Sequence, residues 1–535
     1  GEEMEEVIIA ATRSRRLIAD LPTRVEVISG EELEEKGNMK PGNIRMLLNE
    51  TTGIQTQQTS ATSYNSSIRI QGLDGKYTQL LKDGYPLYSG FSGGLSLLQI
   101  VPLDLRQVEV IKGASSTLYG GGAIAGLVNL VSKVPGEERE LNFLLNATSA
   151  LGLDVSGFYS EKYGKTGASL FASYNLGSPY DPSDIGLTAI PEFNRYTINP
   201  RFYYYFDENT TLNVGVNTTV EERVGGNIEY IEGDDSIEDP YFEENNTNRT
   251  TTRAGFSKMY ENGNFLSLKN SFSFFEREIR IPDYEFAGNQ LASFNEASYT
   301  FGSEDMEWIL GANLWIDKFE ENAVETAGVV DYNHVTFGGF VQNTWKVSEL
   351  FSLESGLRTD YQNEYGVFFL PRFSGLFTLT SDLTARIGGG LGYKTPTIFT
   401  EDAERIQFQN VLPINVSETE AERSIGGNLD VNYRYRFNED LDFTLNTLFF
   451  YTKVKDPLIL MNTSENVFEY LQPDGFVDTR GMETNFKVGY KDFKLFTGYT
   501  LADVNTHYDE VTTEMPLVAQ HRLNNVLMYE IEDNL

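Results

Sequence analysis

The chain has 535 residues, no cysteine and a formal net charge of −36. The first two facts leave no thiol nucleophile, thiolate metal site or disulfide, and a chain this acidic repels nucleic acid. No apolar run reaches the roughly 18 residues that a transmembrane helix needs. Aromatics nevertheless make up 13%, with 30 Tyr and 35 Phe, which suits a barrel whose strands alternate lipid-facing and lumen-facing residues.

The Gly-Glu-Glu start carries no signal peptide, so a mature or trimmed form is expected. Up to about Pro135 the texture is mixed. "TRVEVISGEELEEKG" reads as a strand, an N-cap at Ser29, a short helix and a stop at Gly37. "NIRMLLNETTG" predicts a second short helix from Asn43 to Glu50. Next, "VEVIKGASSTLYGGGAIAGLVNLVSK" (108–133) sets a run of Gly, Ala and Ser, from Ala114 to Leu130, between two apolar strands. A phosphate-cradling loop is disfavoured: no Gly-Lys-Ser/Thr follows, and Leu127–Val131 alternates like a strand instead of opening a helix.

Beyond Pro135 nearly every segment alternates. Leu212, Val214 and Val216 oppose Asn213, Gly215 and Asn217; Leu266, Leu268, Phe272 and Phe274 oppose Ser267, Lys269, Ser271 and Ser273; Leu441, Phe443, Leu445 and Phe449 oppose Asp442, Thr444 and Asn446. One greasy face and one polar face over this length is a barrel pattern. Short polar turns fall at 161–167, 206–211, 260–265, 302–308, 346–352, 378–384, 437–442, 489–494 and 531–534. Between them run long acidic or Pro-containing connections at 221–248, 318–333, 396–427, 455–477 and 505–519. Short turns at one end and long loops at the other mark an outer-membrane barrel. Two strands per interval give roughly eighteen strands. The turn-like "YEIEDNL" end suggests a chain that lacks about four closing strands, since an open sheet edge in lipid is costly.

The glycine-rich stretch resembles the plug of TonB-dependent outer-membrane receptors, whose usual form is V-E-V-I-R/K-G-P-x-S-x-L-Y-G-x-G-A-I-x-G-x-V-N-I-x-T/S-K. Glu109, Gly113, Leu118, Tyr119, Gly120, Gly122, Ala123, Ile124, Gly126, Asn129 and Lys133 fall into register. So do "SIRIQGLDGKYTQLLKDGYPL" (67–87), "VEVISGEELEEKG" (25–37), "TRGMETNFKV" (479–488) and "PLVAQHRLN" (516–524). The resemblance implies an all-β transmembrane barrel of the 22-stranded type, about 18 strands of it present, with a small N-terminal α+β plug inside the lumen. It divides the chain into a TonB-box segment and linker (1–20), a plug (21–135) and a barrel (136–535) incomplete at its C-terminus. The glycines then serve close backbone approach inside a polar tube.

What the resemblance implies functionally is TonB-driven import of a scarce, bulky nutrient across the bacterial outer membrane. It implies neither an enzyme nor a cofactor, and no resident metal. Glu6, Val7, Ile8, Ile9 and Ala10 stand where such receptors present a strand to TonB in the periplasm. Near the mouth it places Gln58, Ser60, Tyr64, Tyr85, Tyr88 and Phe91 from the plug, and Tyr393, Lys394 and Phe399 from a barrel loop, as ligand contacts. Aromatic residues with polar tips suit planar or macrocyclic ligands. Three positions depart from the pattern. Gln71-Gly72 replaces Arg-Gly, with Arg69 two residues earlier; Lys112 replaces the commoner Arg, and Ala114 the commoner Pro. The plug–barrel ion pairs built on those arginines are therefore left unassigned.

A ferric siderophore is the leading ligand class and cobalamin the alternative. Haem is disfavoured because the histidines are only His334, His507 and His521 and "YKTP" stands where haem receptors carry Phe-Arg-Ala-Pro. The overall acidity favours a neutral or weakly charged substrate. The acidic run 232–246 reads as a solvated loop ahead of a Ca²⁺ site. A surface lipoprotein partner stays open, and membrane lipid is the surrounding solvent. A passive porin is disfavoured by the plug, and a soluble β-rich protein by the greasy stripes.

Overall fold

The computed structural model describes residues 11–529 apart from 15, 17, 61, 115, 235–236, 323–328, 439 and 465. Residues 6–10, expected to meet TonB, and the 531–534 turn lie outside the described residues.

The period-two pattern after residue 135 becomes nineteen antiparallel strands, from Glu140–Ala147 to His521–Tyr529, ordered as a closed barrel. One of them, Val511–Glu514, is a short arm folded back on Phe493–Tyr508, so eighteen build the wall. Described ladder registers join each successive wall pair, and none is described between the two end strands. The greasy stripes turn outward: Val214, Val216, Leu268, Phe272, Phe274 and Phe449 are exposed on the outer face. Inside, Arg195, Arg249 and Arg277 are fully buried. This inside-out polarity is what a hydrocarbon solvent selects. At the short-turn end, rings gather into a belt that includes Tyr204 with Phe206, Tyr260 with Tyr299, Phe351 with Phe377, and Tyr435 with Phe437. Aromatic girdles of this kind sit at a membrane interface.

At the opposite end the strands outrun the sequence expectation. Thr210–Gly226 and Phe242–Met259 extend into the expected 221–248 loop and leave only 227–241 as connection. Two connections at that end are tight turns, at 282–283 and 363–365. They carry no polar run long enough to announce a loop.

Inside the barrel a five-stranded sheet has the order Glu26–Ser29, Leu105–Lys112, Gly126–Ser132, Thr78–Lys82, Tyr85–Pro86. Only Thr78–Lys82 with Gly126–Ser132 pairs parallel. The helix Gly30–Met39 runs two residues past the expected stop at Gly37; Arg45–Asn49 forms the second. Ile28, Leu47, Leu48, Ile70, Val108 and Val128 fill a shared core. The Ile54–Gln58 and Ser66–Ile70 hairpin rises toward the long-loop end.

The glycine run has its reason in the wall. Where Leu383–Lys394 should pair with Gly366–Thr378, the register stops at Arg372↔Gly390, next to Pro371, which has no N–H to give. The Tyr393 ring stacks on Phe368 above that point, centroids 3.7 Å apart. The plug loop presses against it: Gly122 N–H donates to the Tyr393 carbonyl (3.0 Å). A Cβ on Gly121 would lie 2.7–3.0 Å from the Tyr393 ring. Small residues are required because the plug backbone touches the barrel directly.

Three residues of the same motif clasp the incoming chain. Glu109 Oε2 accepts from Ala11 N–H (2.7 Å) and Asn129 Nδ2 (2.9 Å). Tyr119 donates its hydroxyl to the Ala11 carbonyl (2.7 Å). Arg13 then donates to the Leu118 carbonyl and pairs with Glu296 of the wall at 2.6 Å.

The ion pairs left open by the sequence resolve onto one wall residue. Lys112 Nζ pairs with Glu483 and with Glu26 (3.0 Å) and donates to the Thr52 carbonyl. Gln71 donates to the other Glu483 oxygen at 3.3 Å. Gly53, at φ +76°, lies so close that a Cβ would sit 2.2 Å from that carboxylate. A left-handed backbone at this spacing admits glycine alone.

Candidate functional site

At the long-loop end, the plug hairpin tip and the 88–96 segment are roofed by two wall loops, 395–421 and 456–474. The two are sewn together. Leu412 N–H donates to the Phe468 carbonyl and Phe468 N–H to the Asn410 carbonyl, and Tyr470 donates to the Ile398 carbonyl at 2.7 Å. Beneath the roof lies a cavity of about 180 Å³ lined by Asp74, Lys76, Tyr88, Trp315, Lys394 and Glu401 among others.

The roof is held to the plug by carboxylates and by rings. Glu401, on the short Glu401–Arg405 helix, accepts from Arg69 (2.6 Å), from the Ser67 hydroxyl and from Gly75 N–H (3.2 Å). Glu404 accepts from Asn65 (3.1 Å) and from both guanidinium nitrogens of Arg277. Lys76 pairs with Glu422 at 2.8 Å, which also accepts from Tyr77 (2.9 Å). Asp74 caps the Gly75–Tyr77 turn by accepting from Lys76 N–H. Burial and the neighbouring Glu401 carboxylate push its pKa up to about 7. Beside these charges, Phe91 packs among Phe275 (5.5 Å), Phe286 (5.8 Å), Phe319 (4.8 Å) and Phe399 (5.1 Å). Edge-on pairs at such spacings add to burial.

Several residues singled out by sequence meet here. Tyr88 and Lys394 line the cavity, with the Arg249 guanidinium 3.7 Å from the Tyr88 ring centroid. Phe91 and Phe399 form the aromatic nest, and Phe91 is 1% exposed. Ser60 donates to Glu243 of the wall (3.0 Å) and Gln58 to the Ser60 carbonyl (2.8 Å), so both stiffen the hairpin tip. Tyr64 carries the Arg45 guanidinium 4.4 Å and the Lys40 ammonium 5.3 Å from its ring centroid. Tyr393 is locked in the seam, its hydroxyl on Asp360 at 2.8 Å. Tyr85 is the correction: it lies in the lower half of the lumen, its hydroxyl on the Ala254 carbonyl (2.9 Å). The Thr78–Lys82 strand runs away from the mouth, and its Asp83-Gly84 turn points down toward Arg201 and Arg253.

Arg69, Asp74, Glu401 and Glu404 were not among the expected contacts. Their signal was weak. Arg69 draws attention only as a displaced arginine, while Glu401 and Glu404 sit in a loop whose acidity looks like solvation. Among the described residues no cluster of three or more His, Asp or Glu is placed to hold a metal ion.

Comparison with known proteins agrees with this architecture. The TonB-dependent Receptor Plug Domain matches residues 18–127, and the TonB dependent receptor-like beta-barrel matches 142–533. The iron-regulated outer membrane virulence protein of Vibrio cholerae is 23% identical over 475 residues, covering 83% of this chain and 66% of that protein. The chain thus spans just under two thirds of that relative. The vitamin B12 transporter BtuB of Vibrio vulnificus is 28% identical over 198 residues, 32% of each chain. The crystal structure of the siderophore receptor PirA from Acinetobacter baumannii superposes with a TM-score of 0.76 at 16% identity, over 95% of this chain and 84% of that one.

Proposed function

The chain belongs to the TonB-dependent receptors of the outer membrane, and from that premise we propose that it imports a ferric siderophore. The observation that carries the reading is the roofed cavity over a plug that fills the lumen: a site reached from outside, with no open path below it. Ligand binds between the plug tip and the 395–421 and 456–474 loops, where Tyr88, Phe399 and Lys394 offer aromatic area and a cation. Residues 6–10 then add a strand to TonB in the periplasm, a backbone-driven mode of recognition. The tension they transmit first reaches Ala11 and its clasp. Iron regulation and siderophore binding in the names of the relatives support this choice of cargo.

The experiment is uptake of radiolabelled iron, presented as single purified siderophores, by a strain lacking its other receptors. Deleting residues 6–10 should abolish uptake while leaving surface binding intact. Cobalamin is the second reading, favoured by the local match to a vitamin B12 transporter. Uptake of labelled cobalamin with no iron chelate transported would install it in place of the first.

A further inference from the structure

We propose that Glu401 occupies the place of an anionic group of the ligand, so that the receptor selects ligands carrying a carboxylate or a comparably chelating oxyanion. This rests on the importer reading and specifies the cargo.

Three donors from three separate plug residues converge on one carboxylate that belongs to the wall: a guanidinium (Arg69), a hydroxyl (Ser67) and a backbone N–H (Gly75). Such a convergence is an anion cradle. Its occupant is carried by a loop instead of the plug that built it. Glu404 repeats the arrangement on Asn65 and Arg277. When the loop lifts to admit a ligand, both carboxylates leave and both guanidiniums stay, inside a lumen where an unpaired charge is costly. An anionic ligand restores the pairing, and the exchange of one carboxylate for another is close to balanced. A neutral ligand leaves Arg69 and Arg277 without counter-charges. Lys394 lines the same cavity, and among the described residues it makes no ion pair within 4.0 Å, so a further cation stands ready for a second oxyanion. The acidity of the whole chain is therefore a poor guide to this site, because the carboxylates that set its sign move out with the loop.

The test uses the full chain in detergent and follows quenching of Trp315, which lines the cavity. The probes are ferric citrate and a ferric tris-catecholate as anions, and ferrichrome and cyanocobalamin as ligands without net negative charge. Glu401→Gln should tighten binding of the anionic chelates about tenfold, since the competing occupant loses its charge. Arg69→Gln should weaken them about 100-fold. Neither should change the other probes. If Arg69→Gln fails to fold, Ser67→Ala takes its place with an expected loss of about tenfold. Anionic chelates that bind with the same affinity to all variants overturn the exchange and leave iron import standing. Tight binding of cyanocobalamin alone overturns iron import and the exchange with it.

Discussion

Lys112→Met isolates the plug–wall contact. Lys112 and Glu483 are 2% and 0% exposed, so removing the ammonium leaves a buried carboxylate with the Gln71 amide as its remaining described donor, at 3.3 Å. Glu26 is spared, because Arg24 pairs with it at 2.5 Å. Breaking a buried pair by deleting one partner costs about 3–5 kcal/mol, or roughly 100- to 5,000-fold in the equilibrium between seated and open plug at about 1.4 kcal/mol per decade. Replacing both partners by apolar residues, in Lys112→Met/Glu483→Leu, should recover most of it, since an apolar pair carries no desolvation penalty. The absence of cysteine supplies the assay. Ala125→Cys places a single thiol in the plug core at a position that is 0% exposed, and its alkylation rate in otherwise native protein reports opening. In that background Lys112→Met should raise the rate at least 100-fold and the double variant should bring it back within about tenfold. A single variant alkylated at the parental rate, or a double variant as fast as the single, would refute the reasoning.

Gly121→Val should cost about 1–3 kcal/mol by overpacking against Tyr393, seen as a lower melting temperature that Tyr393→Ala partly restores. Phe91→Ala removes the hub of the aromatic nest at about 3–5 kcal/mol; amide exchange across 398–411 should accelerate about 100-fold while the plug sheet stays protected. Asp74 has a folded pKa of about 7, above its unfolded value of 3.8. Its contribution to the seated roof is thus fully present at acid pH and fades as pH rises through 7. Exchange in the 395–421 loop, corrected for intrinsic pH dependence, should therefore slow from pH 8 to pH 5, and Asp74→Asn should flatten that slope.

The barrel was legible because its rule is local. Leu268, Phe272 and Phe274 declare their face by alternation alone, whatever their neighbours across the sheet. The turns at 282–283 and 363–365 were not legible, since a strand pair that continues beyond the membrane needs no polar run to reverse. The plug motif gave away Glu109, Tyr119 and Asn129 by type and spacing but not their task, which is to hold Ala11 from 98 to 118 residues away in sequence. Phe91 and Phe399 could be singled out as aromatics near a loop, yet their meeting depends on how far the 395–421 loop folds inward. Nothing in the order of residues states that distance. Tyr85 misled for a related reason: the direction of a short strand within a mixed sheet is fixed by its partner, Gly126–Ser132, and not by its own residues.

The clasp on Ala11 is made by side chains reaching to a backbone unit, without a run of paired strands. Bonds of that kind yield one after another under load, each at a modest threshold, where a ladder sheared lengthwise must give way all together. A weak, sustained pull on the N-terminus is therefore sufficient to peel residues 11–13 from Glu109, Tyr119 and Glu296 in turn. The five-stranded sheet behind them bears the load only after that slack is gone, so the plug meets traction in stages, first as a leash paid out and then as an anchor.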